Sequence, residues 1–221
     1  TREMVKGLSH EIKNPLGGIM GAAQLLDRTL TDQSQAKFTK IIRKESERLL
    51  KLINAMSSPL PSIDKDMINI HEITEHVTEL FKYDVDNLGV NFIKDYDPSI
   101  PQLYLDKNQI IQALINIIRN AIQAINSDGK IIIKTRPVLK YTIGDTRHDL
   151  VVKIDVIDNG IGIPEKKLKE IFYPMVTTKN DGMGLGLTIA QSIIIQNKGI
   201  IECKSKNNET VFSIIIPWCT E

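Results

Sequence analysis

Between Ser57 and Ser62 the hydrophobic period of the chain changes, and this break limits the fold more than any other feature. Before it, apolar residues fall at Val5, Leu8, Ile12, Leu16, Ile19, Ala23, Leu26 and Leu30. Steps of three and four make a heptad seam, so residues 3–30 read as one helix. Thr31-Asp32-Gln33-Ser34 is a polar break carrying helix-capping residues. A second helix over about 34–56 places Phe38, Ile42, Leu49, Leu52, Ile53 and Met56 on one face. Two helices joined by a short turn form an antiparallel hairpin, which cannot bury both seams alone. The expected solution is a dimeric four-helix bundle.

Prolines at 59 and 61 among serines end that pattern. The expected division is a hairpin over 1–58, a linker over 59–65 and a second domain over 66–221. In the second domain strands are expected at 68–70, 90–96, 131–135, 150–157, 200–205 and 210–216. Helices are expected around Ile73 to Phe81, over 107–126 and over 185–197. The alternation describes an α/β sandwich with helices on one face of a mixed sheet. Residues 137–149 read as a variable hairpin loop and 163–182 as a long irregular segment.

Composition excludes several classes. With 28 basic and 27 acidic residues the net charge is +1, without the basic excess of a nucleic-acid binder. Cys203 and Cys219 have no metal-ligand spacing, which fits a reducing cytosol. No apolar run approaches the ~18 residues of a membrane span. Val5 already belongs to the helical repeat, so an upstream sensory region is expected beyond this fragment. His71, His76 and His148 read as surface residues, and Trp218 is expected to pack against the sheet.

Four segments carry chemistry. In Ser9-His10-Glu11-Ile12-Lys13-Asn14-Pro15-Leu16, placing Val5 and Ile12 at heptad position a puts His10 at f, facing water. Asn14, Gly17 and Gly21 follow it on the same face. Each helical glycine costs about 1 kcal/mol against alanine, and Pro15 removes a backbone hydrogen bond. An exposed imidazole above a glycine strip reads as a docking surface. On the helix over 107–126, Asn116, Asn120 and Gln123 form a polar stripe beside an apolar one. Asp158-Asn159-Gly160-Ile161-Gly162 follows a strand, and Gly182-Met183-Gly184-Leu185-Gly186-Leu187 opens the last helix, where backbone N–H groups favour phosphate. Ile171-Phe172-Tyr173-Pro174 lies between them.

In chain order these four segments resemble the H, N, G1 and G2 boxes of sensor histidine kinases, with Ile171-Phe172-Tyr173-Pro174 resembling the F box between the last two, over residues 5–216. The resemblance implies an ATP-binding domain of the GHKL (Bergerat) type. It implies that His10 accepts the γ-phosphoryl group of ATP, that Glu11 orients the ring and takes its proton, and that Asn14 positions water when the partner is dephosphorylated. Asn120 would ligate Mg²⁺, with Asn116 and Gln123 at the phosphate end; relatives often carry lysine where Gln123 stands. Asp158 would accept the adenine amino group, with Gly160 and Gly162 close to the base. Gly182, Gly184, Leu185 and Gly186 would hold phosphate, and Lys179 would reach the γ-phosphate.

Gly21-Ala22-Ala23-Gln24, Arg119-Asn120-Ala121 and Phe172-Tyr173-Pro174-Met175-Val176 resemble the nitrogen-regulation, NtrB-type subgroup. That subgroup implies a cytosolic homodimer, an NtrC-type response regulator receiver domain as partner, and a PII-type signalling protein as a further candidate partner. Asn197-Lys198-Gly199 departs from the common His-Gly-Gly and is expected to alter only a turn. Two other readings stay open. A gyrase- or Hsp90-like ATPase shares the pocket, but carries glutamate where Asn116 stands and has no use for the hairpin. A degenerate kinase would act as scaffold or phosphatase.

Overall fold

The computed structural model describes the backbone of residues 2–30, 33–57, 64–126, 129–177 and 184–218. Side chains are described from residue 12 onward within those ranges, except 33–34, 48 and 51–57. The chain divides into two compact units, Thr1–Ser62 and Ile63–Glu221.

The first unit is a helical hairpin of α1 (Arg2–Thr29) and α2 (Gln33–Ser57). Helix α1 runs through Pro15 without interruption. The hairpin interior takes Leu16 and Ala23 from α1 and Thr39 and Ser46 from α2. Asp27 ties the pair together: it accepts the Thr39 hydroxyl at 2.6 Å and lies 3.8 Å from Arg43. The rest of the seam stays uncovered, with Ile12, Ile19 and Leu26 each about half exposed.

In the second unit a five-stranded sheet has the order β2-β4-β5-β7-β6: β2 (Asn91–Asp95), β4 (Lys130–Ile143), β5 (Thr146–Asp158), β6 (Ile200–Lys206) and β7 (Glu209–Pro217). Only β2 and β4 are parallel. A small pair, β1 (Asp66–Ile68) and β3 (Leu103–Leu105), precedes helix α5 (Lys107–Ala124). One face of the sheet carries Ile131, Ile133, Ile154, Val156, Phe212 and Ile214, all buried. Over it lies a helix layer in which α5 packs between α3 (Ile70–Leu80) and α7 (Gly186–Gln196). Helix α5 buries Ile110, Leu114, Ile117 and Ile118 completely. Each such side chain contributes about 1.5–3 kcal/mol. Its start is fixed by Asp106, whose carboxylate accepts the N–H of Gln109 at 3.1 Å and of Asp64 at 3.0 Å.

Several expectations need correction. The strand expected at 68–70 ends at Ile68, because Asn69 caps α3 by accepting the N–H of His71. Helix α4 (Lys82–Leu88), closed by Gly89 at φ 64°, and strand β3 were not foreseen. Residues 137–149 are not a loop but the paired ends of β4 and β5. This hairpin curls. Tyr141 lies opposite His148, seven registers beyond Asp155, which on a straight ladder is roughly 23 Å. Yet the Tyr141 hydroxyl lies beside Glu202, in the Asp155 row, and burial with that carboxylate pushes its pKa up. Lys140, at φ 54°, marks the bend. Part of residues 163–182 is the short helix α6 (Glu165–Leu168), and residues 178–182 lie outside the described residues.

His71 is not a plain surface residue. Its ring stacks on Tyr96 at 4.8 Å and its Nε2 lies 2.9 Å from the Thr135 hydroxyl. Burial lowers its pKa against the pull of Asp97 and Glu75. His148 is half-buried. Trp218 donates its indole N–H to the carbonyl of Gln102 at 3.1 Å and stays 38% exposed, so it pins the approach to β3. At the departure Asn197-Lys198-Gly199, Lys198 turns at φ 59° and Gly199 abuts the carbonyl of Ile215, leaving no room for a side chain.

Candidate functional site

In the hairpin unit, His10 and Glu11 lie on α1, and their side chains are outside the described set. Asn14 is exposed. Gly17, Gly18 and Gly21 are exposed too, and a Cβ added to any of them meets nothing. Internal packing therefore does not require these glycines.

The second unit gathers three of the motif segments around α5. At its middle, Asn116 is buried and its Nδ2 donor has no partner among the described residues. Such a group costs about 1–3 kcal/mol unless something completes it. A Cβ on Gly186, the first residue of α7, would stand 3.5 Å from Asn116 Oδ1. Helix α7 begins without a side-chain cap. Its first N–H groups thus lack one usual partner and form the positive end of the helix dipole. Gly184, at φ 65°, lies against Met175 and Val176, and its carbonyl accepts the Met175 N–H at 3.1 Å. Leu185 is buried beneath. Thr188 of α7 donates to the carbonyl of Phe172, tying the Phe-Tyr-Pro segment to the same end.

At the C-terminal end of α5, the glycine loop after β5 is fastened to the helix terminus. The N–H of Ile161 donates to the carbonyl of Ala124 at 3.0 Å, and a Cβ on Gly160 would come within 2.6 Å of that oxygen. Asp158 is 2% exposed, and its Oδ1 accepts the Gly160 N–H at 2.9 Å. Burial pushes its pKa up to about 6, so at neutral pH it is chiefly an anionic acceptor aimed at any donor that enters. Gly162, at φ 75°, lies 3.2 Å (to an added Cβ) from the hydroxyl of Ser205.

The structure therefore brings Asn116, Gly184 and Gly186 together at the middle of α5 and Asp158, Gly160 and Gly162 to its C-terminal end. Half-buried Asn120 and exposed Gln123 lie on the helix between. Lys179 and Gly182 lie outside the described residues. Sequence reasoning missed Ser205 and Thr210, which face Asp158 across the sheet. Isolated hydroxyls in strands carry no signal of their own. Cys203 shares that floor; burial and the charge of Asp158 push its thiol up to about 12, so it stays protonated. A cavity of about 340 Å³ between α3–α4 and α5 shares only Gln123 with these residues. The convergence of amide, carboxylate and glycine backbone marks the site better than that cavity does.

Residues 105–219 match the family described as histidine kinase-, DNA gyrase B- and HSP90-like ATPase, and residues 1–58 match the His Kinase A (phospho-acceptor) domain. The chain belongs to the histidine kinase family. The hairpin match separates this histidine kinase core from gyrase-like ATPases, which the match over residues 105–219 alone would admit. It is 44% identical over 217 residues to the sensory histidine kinase/phosphatase NtrB of Proteus hauseri, covering 98% of this chain and 62% of the relative. The corresponding protein of Escherichia coli O157:H7 is 43% identical with the same coverage. The chain thus spans about three fifths of the length of these relatives, and the core is of the NtrB type. Among solved structures, the catalytic domain of histidine kinase ThkA superposes with a TM-score of 0.62 at 31% identity, covering 70% of this chain and 96% of that one. ThkA in complex with response regulator protein TrrA gives 0.65 at 29% identity, covering 98% of this chain and 61% of that one. Among the described residues no helix is long and apolar enough to cross a membrane.

Proposed function

We propose that the chain transfers the γ-phosphoryl group of Mg-ATP to His10 and passes it on to an aspartate of a response regulator receiver domain of the NtrC type. The same chain would dephosphorylate that partner, with Asn14 positioning water. Residues 1–58 would serve dimerisation and phosphotransfer, and residues 66–221 nucleotide binding. The observation that carries the reading is the buried Nδ2 donor of Asn116, without a partner among the described residues, beside the start of α7 at Gly186, which has no side-chain cap. Free N–H donors at a helix start are complementary to phosphate oxygens. The anionic acceptor Asp158, at the far end of α5, suits the exocyclic amine of adenine.

The donor set also fits Mg²⁺. No group of three acidic, histidine or cysteine residues capable of holding a metal occurs among the described residues. Such sites hold Mg²⁺ through substrate phosphates, waters and one or two protein oxygens, and here the Asn120 side chain would supply the protein oxygen. The ion would supply charge neutralisation as the phosphoryl group moves. The chain's own residues bind and orient. Asn116 and the α7 N-terminus hold the phosphates, Asp158 fixes the base, and Lys179 would add a cation. At His10 the unprotonated ring nitrogen forms the N–P bond as the bond to the β-phosphate oxygen breaks and ADP leaves. Glu11 accepts the ring proton.

The test is incubation with γ-labelled ATP followed by acid and alkali treatment, comparing the parent with His10→Gln and Asn120→Ala. Acid-labile, alkali-stable label in the parent, lost in both variants, is the expected result. Only Asn120→Ala should lose Mg-dependent nucleotide binding. Label that persists in His10→Gln would refute the assignment.

A further inference from the structure

The glycine loop that follows Asp158 is held by three consecutive anchors, and only one is a side chain from outside the motif segments. The Gly160 N–H donates to Asp158 itself, and the Ile161 N–H donates to the carbonyl of Ala124. The Ile163 N–H donates at 2.9 Å to the hydroxyl oxygen of Ser205, on the edge strand β6. Ser205 in turn lies 3.1 Å from the hydroxyl of Thr210. Thr210 is 2% exposed and is the cross-strand neighbour of Asp158 on the same sheet face.

Ser205 accepts the Ile163 N–H, and its hydroxyl shares a second hydrogen bond with Thr210 in which either oxygen can donate. The row Ile163–Ser205–Thr210 thus ties the loop to the strand that lies beside Asp158. The same row fixes the far end of the loop whose near end sets the carboxylate of Asp158. Gly162 closes the gap: at φ 75° it passes the Ser205 hydroxyl so closely that an added Cβ would lie 3.2 Å away.

We infer that Ser205 is a positioning residue for nucleobase recognition, acting through the Gly160–Ile163 loop and Thr210 to hold Asp158 in its adenine-reading orientation. The inference rests on the ATP reading given above. Ser205 makes no contact with phosphate-end residues among the described hydrogen bonds, so its influence falls on base binding and on the choice of base. Loosening the loop lets the Asp158 carboxylate turn, which weakens adenine binding more than binding of a purine that lacks the amino group there.

The experiment is equilibrium titration of the intact chain with a fluorescent ATP analogue, then displacement by unlabelled ATP and by GTP, well below the melting temperature. The variants are Ser205→Ala, Ser205→Thr and, as control, Ser213→Ala. Ser213 donates a hydroxyl hydrogen bond of 2.6 Å to Asp155 on the opposite sheet face. Ser205→Ala should weaken ATP binding roughly tenfold, the size of one hydrogen bond to a well-ordered group. It should also narrow the ratio of ATP to GTP affinity. Ser205→Thr should restore both, and Ser213→Ala should change neither even if it lowers the melting temperature. The inference is overturned if Ser205→Ala binds ATP within twofold of the parent. It is equally overturned if threonine does not rescue, or if both alanine variants weaken binding in step with lost stability. A parent chain that binds no ATP would overturn the underlying ATP reading instead, and that outcome is visible before any variant is compared.

Discussion

The side-chain amide of Asn116 sits against Gly186, with 3.5 Å between its oxygen and the position a Cβ would take. That distance is ordinary contact, and Gly186 has no left-handed backbone requirement. Gly186→Ala should therefore fold normally, with a melting temperature equal to or slightly above the parent's, since alanine is the better helix former. The added methyl group nevertheless stands over the α7 N–H groups and Asn116. ATP affinity by calorimetry should fall about tenfold or more, a factor worth about 1.4 kcal/mol. Unchanged affinity would remove this corner from the phosphate site.

Gly160 behaves differently. A Cβ there would lie 2.6 Å from the backbone carbonyl of Ala124, which cannot step aside without moving the end of α5. Gly160→Ala should cost about 1–3 kcal/mol in urea unfolding, as overpacking does, and should abolish nucleotide binding. A variant as stable as the parent would show that the loop and helix are not in contact in solution.

Burial pushes the pKa of Asp158 up to about 6, from the ordinary carboxylate value of 3.8. Its sign is opposite to that of a salt-bridged carboxylate. Between the two values the native state holds more protons than the unfolded chain, so this group's contribution to stability falls as pH rises from about 4 to 6. Asp158→Asn keeps the acceptor for the Gly160 N–H and removes the buried charge. It should raise stability at pH 7.5 by up to about 2 kcal/mol, with little gain at pH 4, while ATP affinity drops sharply. Chemical denaturation at both pH values and one binding titration check all three statements.

On the hairpin, Ile19 and Leu26 are about half exposed on the seam that Leu16 and Ala23 help to fill. If two copies pair through that seam, Ile19→Glu with Leu26→Glu should convert a dimer to a monomer in light scattering. The nucleotide affinity of residues 66–221 should be unaffected.

The legible parts of this chain were those whose chemistry sits in consecutive or helically spaced residues. Spacing could put the Asn116 and Asn120 stripe on a helix face, the Asp158 loop after a strand and the Gly184–Gly186 segment at a helix start, because a helix face or a glycine turn is a local property, while the roles expected of them came from the family resemblance. The missed parts depend on contacts between distant residues. His71 reads as a surface histidine until the fold brings Thr135 to its ring, 64 residues later. Ser205 and Thr210 read as ordinary strand hydroxyls until β6 and β7 place them beside Asp158. The β4–β5 arm was misread because Pro137 and Gly144 look like loop punctuation. Pro137 lies where β4 has run past the end of β2, so no neighbour on that side needs its missing N–H.

The Ile161–Ala124 bond has a wider consequence. Since the loop proposed to read the base is stitched to the last turn of a helix whose apolar face is buried, that half of the cleft offers a fixed template. Any fitting to an arriving triphosphate has to happen at the opposite end, where α7 begins. Such a cleft would grip the invariant part of its substrate rigidly and leave the reactive part to a separately adjustable wall, so ATP and ADP could be told apart without disturbing how either is anchored.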